Sequence, residues 1–122
     1  MAKILIVEDS PTILAIIKET LEASGYSVIT AVDGIEGLGL AQKESPDLVI
    51  LDLMLPKMDG YKVCALLKKD AKHARIPIIM FTARSQESDK KMGQDLGANA
   101  YLTKPFEPEL LLSKVKELLK EK

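Results

Sequence analysis

Cysteine and histidine occur once each, as Cys64 and His73. A single cysteine excludes an internal disulfide, and one histidine with one cysteine and no CxxC pair leaves no zinc-type ligand cluster. No apolar run comes near the roughly 20 residues that span a bilayer. The opening Met-Ala-Lys-Ile-Leu-Ile-Val-Glu runs into acids too early for a secretory signal peptide. An excess of charge of one sign is also missing: 17 Lys and Arg against 18 Asp and Glu give a net charge of −1. That balance supplies no global pull toward nucleic acid or an anionic membrane surface. A cytoplasmic protein with no membrane insertion and no direct nucleic-acid contact is the expectation. What the chain does have is material for a core. Apolar residues make up 47% of its 122 residues, too many for a disordered chain and enough for one domain, expected over 1–122.

The stretch Leu48–Gly60, LVILDLMLPKMDG, organises the rest. An unbroken apolar run from Leu48 to Leu51 suits a strand buried on both faces, as in a parallel sheet. Asp52 then stands at the strand's end, where a buried carboxylate is costly unless charge or hydrogen bonds compensate it. Pro56 and Asp59-Gly60 turn the chain. Open α/β sheets place their chemistry at such carboxyl ends.

The same alternation recurs along the chain. Lys3 to Val7 is a strand that also ends in acids, Glu8-Asp9. Ser10 or Asp9 caps a helix with Pro11 in its first turn and a stripe of Ile13, Leu14, Ile17 and Leu21, ending at Gly25. Tyr26 to Ala31 reads as a more polar strand near a sheet edge, and Asp33-Gly34 as a turn. The second helix has a weaker stripe of Ile35, Leu38 and Ala41; Gly37 and Gly39 inside it imply a close neighbour or a soft helix. A third helix carries Val63, Cys64, Leu66 and Leu67, with Cys64 packed as an ordinary core residue beside Gly60, Val63 and Leu67. Lys68 to Arg75 reads as solvated surface, His73 included. Ile76 to Phe81 forms a fourth strand and Ala100 to Leu102 a fifth. Between them Ser85 to Asp95 has almost no apolar residue besides Met92, so a helix there is weakly held and a candidate mobile element. Pro108 opens a last helix with a stripe of Leu111, Val115, Leu118 and Leu119. Alternating strands and helices predict an α/β fold: a doubly wound parallel five-stranded sheet with helices on both faces and right-handed crossovers. The pattern leaves the strand order open, 2-1-3-4-5 being one of two common arrangements.

In such a sheet the carboxyl ends share one rim. Glu8, Asp9, Asp52, Thr82 and Lys104 all follow or end strands, so the fold brings them together. Three carboxylates against one lysine leave two uncompensated negative charges, which a divalent cation cancels. Oxygen donors without His or Cys suit Mg²⁺ or Mn²⁺. A pocket with a metal, a lysine, a hydroxyl and a carboxylate nucleophile is equipped to receive a phosphoryl group.

Four segments carry a resemblance: the acid pair Glu8-Asp9, LDLMLPKMDG around Asp52, MFTA at Thr82, and YLTKPF with Tyr101 and Lys104-Pro105. Over essentially its whole length the chain resembles receiver domains of two-component response regulators, in a stand-alone form like the chemotaxis regulators. The resemblance implies a flavodoxin-like fold with strand order 2-1-3-4-5. It makes Asp52 the phosphoacceptor, taking a phosphoryl group from a sensor histidine kinase's phosphohistidine. Asp9, Asp52 and the backbone carbonyl of Met54 would bind Mg²⁺ directly, and Glu8 through water. Lys104 would contact phosphoryl oxygens; Thr82 and Tyr101 would be the switch. The Lys104-Pro105 bond would be cis. The face formed by the fourth helix, fifth strand and fifth helix would signal to a downstream effector or a histidine phosphotransfer protein, the chain being a monomer or weak dimer. Met54 and Arg84 would overhang the pocket and govern how long the phosphoryl group lasts.

Three other readings compete. A phosphatase enzyme with an aspartyl nucleophile usually has a second acid two residues further on, and here Met54 stands there. A flavin or nucleotide carrier needs a phosphate-binding loop after strand one, but Glu-Asp-Ser-Pro is acidic and without glycine. The receiver half of a longer DNA-binding regulator is the third. The expectation is therefore a signalling module, not a turnover enzyme.

Overall fold

The structure is a computed structural model that describes residues 2–82, 97–103 and 107–119. Its elements are β1 (Lys3–Val7), α1 (Pro11–Ala23), β2 (Ser27–Ala31), α2 (Gly34–Glu44), β3 (Leu48–Asp52), α3 (Gly60–Lys69), β4 (Ile78–Thr82), β5 (Ala100–Thr103) and a carboxyl-terminal helix, Pro108–Leu119. The helix expected over 85–95, with Arg84 before it, lies outside the described residues, as do Lys104 and the Lys104-Pro105 bond. All strand pairings are parallel, and the order is β2-β1-β3-β4-β5, as expected.

Period-two alternation along the strands builds two cores. Ile4, Ile6, Leu48, Ile50, Ile79, Phe81 and Leu102 face α1 and the carboxyl-terminal helix through Ile17, Leu21, Leu111 and Val115. Leu5, Val7, Val49, Leu51, Ile78 and Met80 face α2 and α3 through Ala41, Val63, Cys64 and Leu67. Central β3 is buried throughout, whereas β2, at one edge, is mostly half-exposed. That difference matches the unbroken apolar run of the one and the more polar sequence of the other.

The helices correct several expectations. On α2 the buried positions are Gly34, Gly37 and Ala41, while Ile35 is 56% exposed. Gly37 is buried because α2 lies hard against β1: a Cβ there would stand 2.8 Å from both γ-carbons of Val7. Gly39 has nothing within 4 Å of its Cβ position, so of these two glycines only Gly37 reflects a close neighbour. On α3, Leu66 points outward and Gly60, Val63, Cys64 and Leu67 inward. Asp33-Gly34 and Asp59-Gly60 are not free turns. Each Asp is an N-cap, its Oδ1 accepting from the backbone N–H of Glu36 (2.8 Å) or Lys62 (2.9 Å), and each Gly opens the helix.

The segment after α3 is not solvated surface throughout. His73 is buried. Its Nδ1–H donates to Asp70 Oδ2 at 2.7 Å, since a carboxylate can only accept, and its Nε2 lies 3.4 Å from Ser45 Oγ. The bond from His73 is the main reason the Asp70 carboxyl is held below its ordinary value. His73 thereby ties the end of α3 to the left-handed Ser45 that ends α2.

Cys64 is fully buried, and burial pushes its thiol above the ordinary cysteine value. Because the thiolate is the reactive form, native protein is expected to react with a disulfide reagent near pH 8 at least about 100-fold more slowly than protein unfolded in urea. Equal rates, followed by absorbance of the released thiol, would contradict this packing.

Candidate functional site

The acids of the rim are positioned by strand ends and helix caps. Glu8 follows β1 directly, and its backbone N–H donates to Ala31 O at 3.0 Å, continuing the ladder to β2. Its Oε2 accepts from the backbone N–H of Ser10 at 3.1 Å. Ser10 in turn caps α1, its Oγ accepting from the N–H of Ile13 at 3.4 Å. The start of α1 thus holds the Glu8 carboxylate in place. Asp52 closes β3 beside Phe81 of β4, and its Oδ1 accepts from the backbone N–H of Met54 at 3.1 Å.

Glu8 is fully buried, Asp52 is 3% exposed and Asp9 is exposed. One carboxylate oxygen from each lies within 4.8 Å of the others. For the two buried acids, like charges at that separation repel by roughly 3–4 kcal/mol at an effective dielectric near 20. Two enclosed carboxylates joined by one open to solvent form an all-oxygen donor set. That chemistry fits a hard divalent cation.

The loop after β3 is braced against α2. Gly34 N–H donates to Pro56 O at 3.2 Å, Met58 N–H to Pro56 O at 2.7 Å, and Gly60 N–H to Leu53 O at 3.0 Å. Lys57 Nζ lies 3.6 Å from Asp33 Oδ2. The Asp33 carboxyl is held below its ordinary value, chiefly by the Glu36 N–H, with Lys57 adding to it. Lys57 adopts φ 68°, a left-handed conformation that costs a side-chain-bearing residue about 1–2 kcal/mol. Backbone bonds and close contact at Gly34 and Gly60 hold it there. In the sequence both glycines read as turn formers; their place directly after an Asp cap is the signal that points to this bracing.

Of the remaining candidates, the Met54 side chain is 67% exposed beside the acids. The Thr82 backbone ends β4, paired with Thr103 of β5; its side chain is outside the described residues, and so is Lys104, which follows Thr103. Tyr101 sits in β5 opposite Met80, half-buried against the core shared with α2 and α3. The described residues therefore bring together three of the five predicted rim residues.

Residues 4–116 match the response regulator receiver domain family. The chain is 50% identical over 120 residues to the DNA-binding dual master transcriptional regulator RpaA of Synechocystis sp., an alignment covering 98% of this chain and 50% of that protein. It is 42% identical over 119 residues to protein PilH of Pseudomonas aeruginosa, covering 98% of each. The crystal structure of the chemotaxis response regulator CheY4 of Vibrio cholerae superposes with a TM-score of 0.91 at 37% identity, covering 97% of this chain and 98% of that one. The chain spans about half the length of the curated relatives it matches first. Fold, rim chemistry and sequence agree, and the chain belongs to the response regulator receiver domains of two-component signalling.

Proposed function

We propose that Asp52 is the phosphoacceptor of this receiver. A carboxylate oxygen of Asp52 attacks the phosphorus of a histidine kinase's phosphohistidine. The new O–P bond makes an acyl phosphate, and the P–N bond breaks with its electron pair returning to the imidazole. Asp9, Asp52 and the Met54 carbonyl would hold Mg²⁺, with Glu8 acting through water. When bound, the ion supplies positive charge for the phosphoryl oxygens. Lys104 is assigned to the same oxygens, and Thr82 and Tyr101 to the switch. The observation that carries this reading is the convergence of Glu8, Asp9 and Asp52 within 4.8 Å at one strand-end rim.

The module acts by docking, not by turnover. Its signalling surface is assigned to segment 85–95, β5 and the carboxyl-terminal helix, facing an effector or a histidine phosphotransfer protein. We read 1–122 as one receiver domain in the cytoplasm; among the described residues no helix is long and apolar enough to cross a membrane. The half-length match to a DNA-binding regulator favours a second reading, in which the same switch governs an attached output domain.

The test is incubation with a small acyl phosphate and Mg²⁺, followed by intact mass. One phosphoryl group per chain, released by hydroxylamine, is expected; no label with Mg²⁺ present, or steady phosphomonoester turnover, would overturn the reading. Lifetime gives a second test. Met54 offers no group to orient a water, so the acyl phosphate should be long-lived. Met54→Asn should hasten its loss roughly tenfold, about 1.4 kcal/mol of barrier. An unchanged decay rate would count against that role.

A further inference from the structure

Lys68 and Lys69 both lie in the last turn of α3, where a basic residue favours the helix dipole. Lys69 meets that need from solvent. Lys68 turns back into the protein. Its Nζ donates to Ala74 O (3.1 Å), Ile76 O (2.8 Å) and Asn99 Oδ1 (3.2 Å), which uses all three ammonium hydrogens. The partial burial this requires pushes the lysine below its ordinary value.

Asn99 completes the clamp. Its Oδ1 also accepts from the N–H of Ile78 at 3.0 Å, and its own N–H donates to Ile78 O at 2.8 Å. One residue, through its side chain and its backbone N–H, thus ties the starts of β4 and β5 together before their ladder begins. Gly97, at φ 97°, admits the lysine stem: a Cβ there would lie 3.0 Å from Lys68 Cγ. All of this lies at the amino ends of the strands, opposite the acidic rim. Among the described residues β5 is an edge strand whose one strand partner is β4.

We propose that Lys68, acting through Asn99, is a positioning residue for the response of Tyr101 to phosphorylation. Tyr101 is two residues beyond Asn99 on this edge strand. A phosphoryl group biases Tyr101 between two arrangements only if the strand carrying it keeps one register. With its start anchored, β5 has a fixed end about which the tyrosine moves. Unanchored, the strand frays and Tyr101 samples positions unrelated to the state of Asp52. The inference rests on the reading of Asp52 as phosphoacceptor.

The experiment compares wild type with Lys68→Met, Lys68→Arg and Asn99→Ala. Labelling by acyl phosphate with Mg²⁺ is read by intact mass, and the Tyr101 ring by NMR with and without beryllium fluoride and Mg²⁺. Backbone hydrogen exchange is followed in parallel. Lys68→Met should label like wild type, while the coupling between Asp52 and Tyr101 falls about fivefold. Amides of 100–102 should exchange about tenfold faster with those of β1 unchanged. Lys68→Arg should restore most of the response. Asn99→Ala, which leaves both carbonyl contacts of Lys68, should show the same loss in milder form if Lys68→Met does not fold. A full Tyr101 response in the folded variants would overturn the positioning role alone. Wild type that takes no label would overturn the reading of Asp52 and this inference with it.

Discussion

Asp52→Asn is expected to abolish phosphoryl labelling, lowering it at least about 100-fold, equivalent to roughly 2.7 kcal/mol or more of lost transition-state stabilisation, and to raise the stability of the metal-free protein. The first effect follows from the loss of the proposed nucleophile's charge; a neutral side-chain amide does not attack phosphorus, and it binds a hard cation more weakly than a carboxylate does. The second follows from the enclosure of Glu8 and Asp52 together within 4.8 Å. Removing one charge relieves part of their repulsion, on the order of 1 kcal/mol. The asparagine Oδ1 still accepts the Met54 N–H, so the loop after β3 keeps its anchor. Thermal melts in EDTA should therefore place the variant several degrees above wild type. Added Mg²⁺ should reverse the order, because wild type binds it more tightly and gains more by it. Label retained in Asp52→Asn, or a variant that melts lower in EDTA, would remove Asp52 from the centre of the site.

Gly60→Ala should be among the most destabilising single changes in the chain, at about 3 kcal/mol. Its Cβ would collide with the carbonyl of Asp52 and come within 2.9 Å of Leu53 Cα. Those are backbone atoms of the strand that carries Asp52, and no rotamer change moves them away. Gly34→Ala meets the Met58 carbonyl in the same way. Gly39→Ala, on the same helix as Gly34, meets nothing within 4 Å and should stabilise by about 0.5–1 kcal/mol. Urea titrations of the three variants measure this directly. A neutral Gly60→Ala would mean that α3 does not start against β3 as described. Loss of labelling beyond the unfolded fraction in Gly60→Ala would show how tightly that contact sets Asp52.

Much of the site was legible because it depends on order along the chain. Strands ending in Glu8-Asp9 and Asp52 place their acids on one rim once the sheet is parallel. The apolar run Leu48–Leu51 and the more polar β2 announced a centre and an edge. Helix faces were harder to read. On α2, Ile35 suggested a buried stripe, but the face that meets the sheet is the one on which Gly37 lets the helix approach Val7. A hydrophobic residue at a helix start near the rim remains outside because the contact there is made by Gly34 backbone.

Pattern and spacing alone settled the alternation of elements, the parallel sheet and the company of acids at its rim, since each follows from periodicity and connection rules acting locally. Tertiary structure alone decided which polar residues are interior. His73 and Lys68 sit in a stretch as charged as any in the chain, yet one is buried against Asp70 and Ser45 and the other is clamped by carbonyls and Asn99. Beside nearby partners, each also bonds a distant one, Ser45 and Asn99, 28 and 31 residues away. No local pattern encodes a hydrogen bond whose two halves meet only after the sheet has formed.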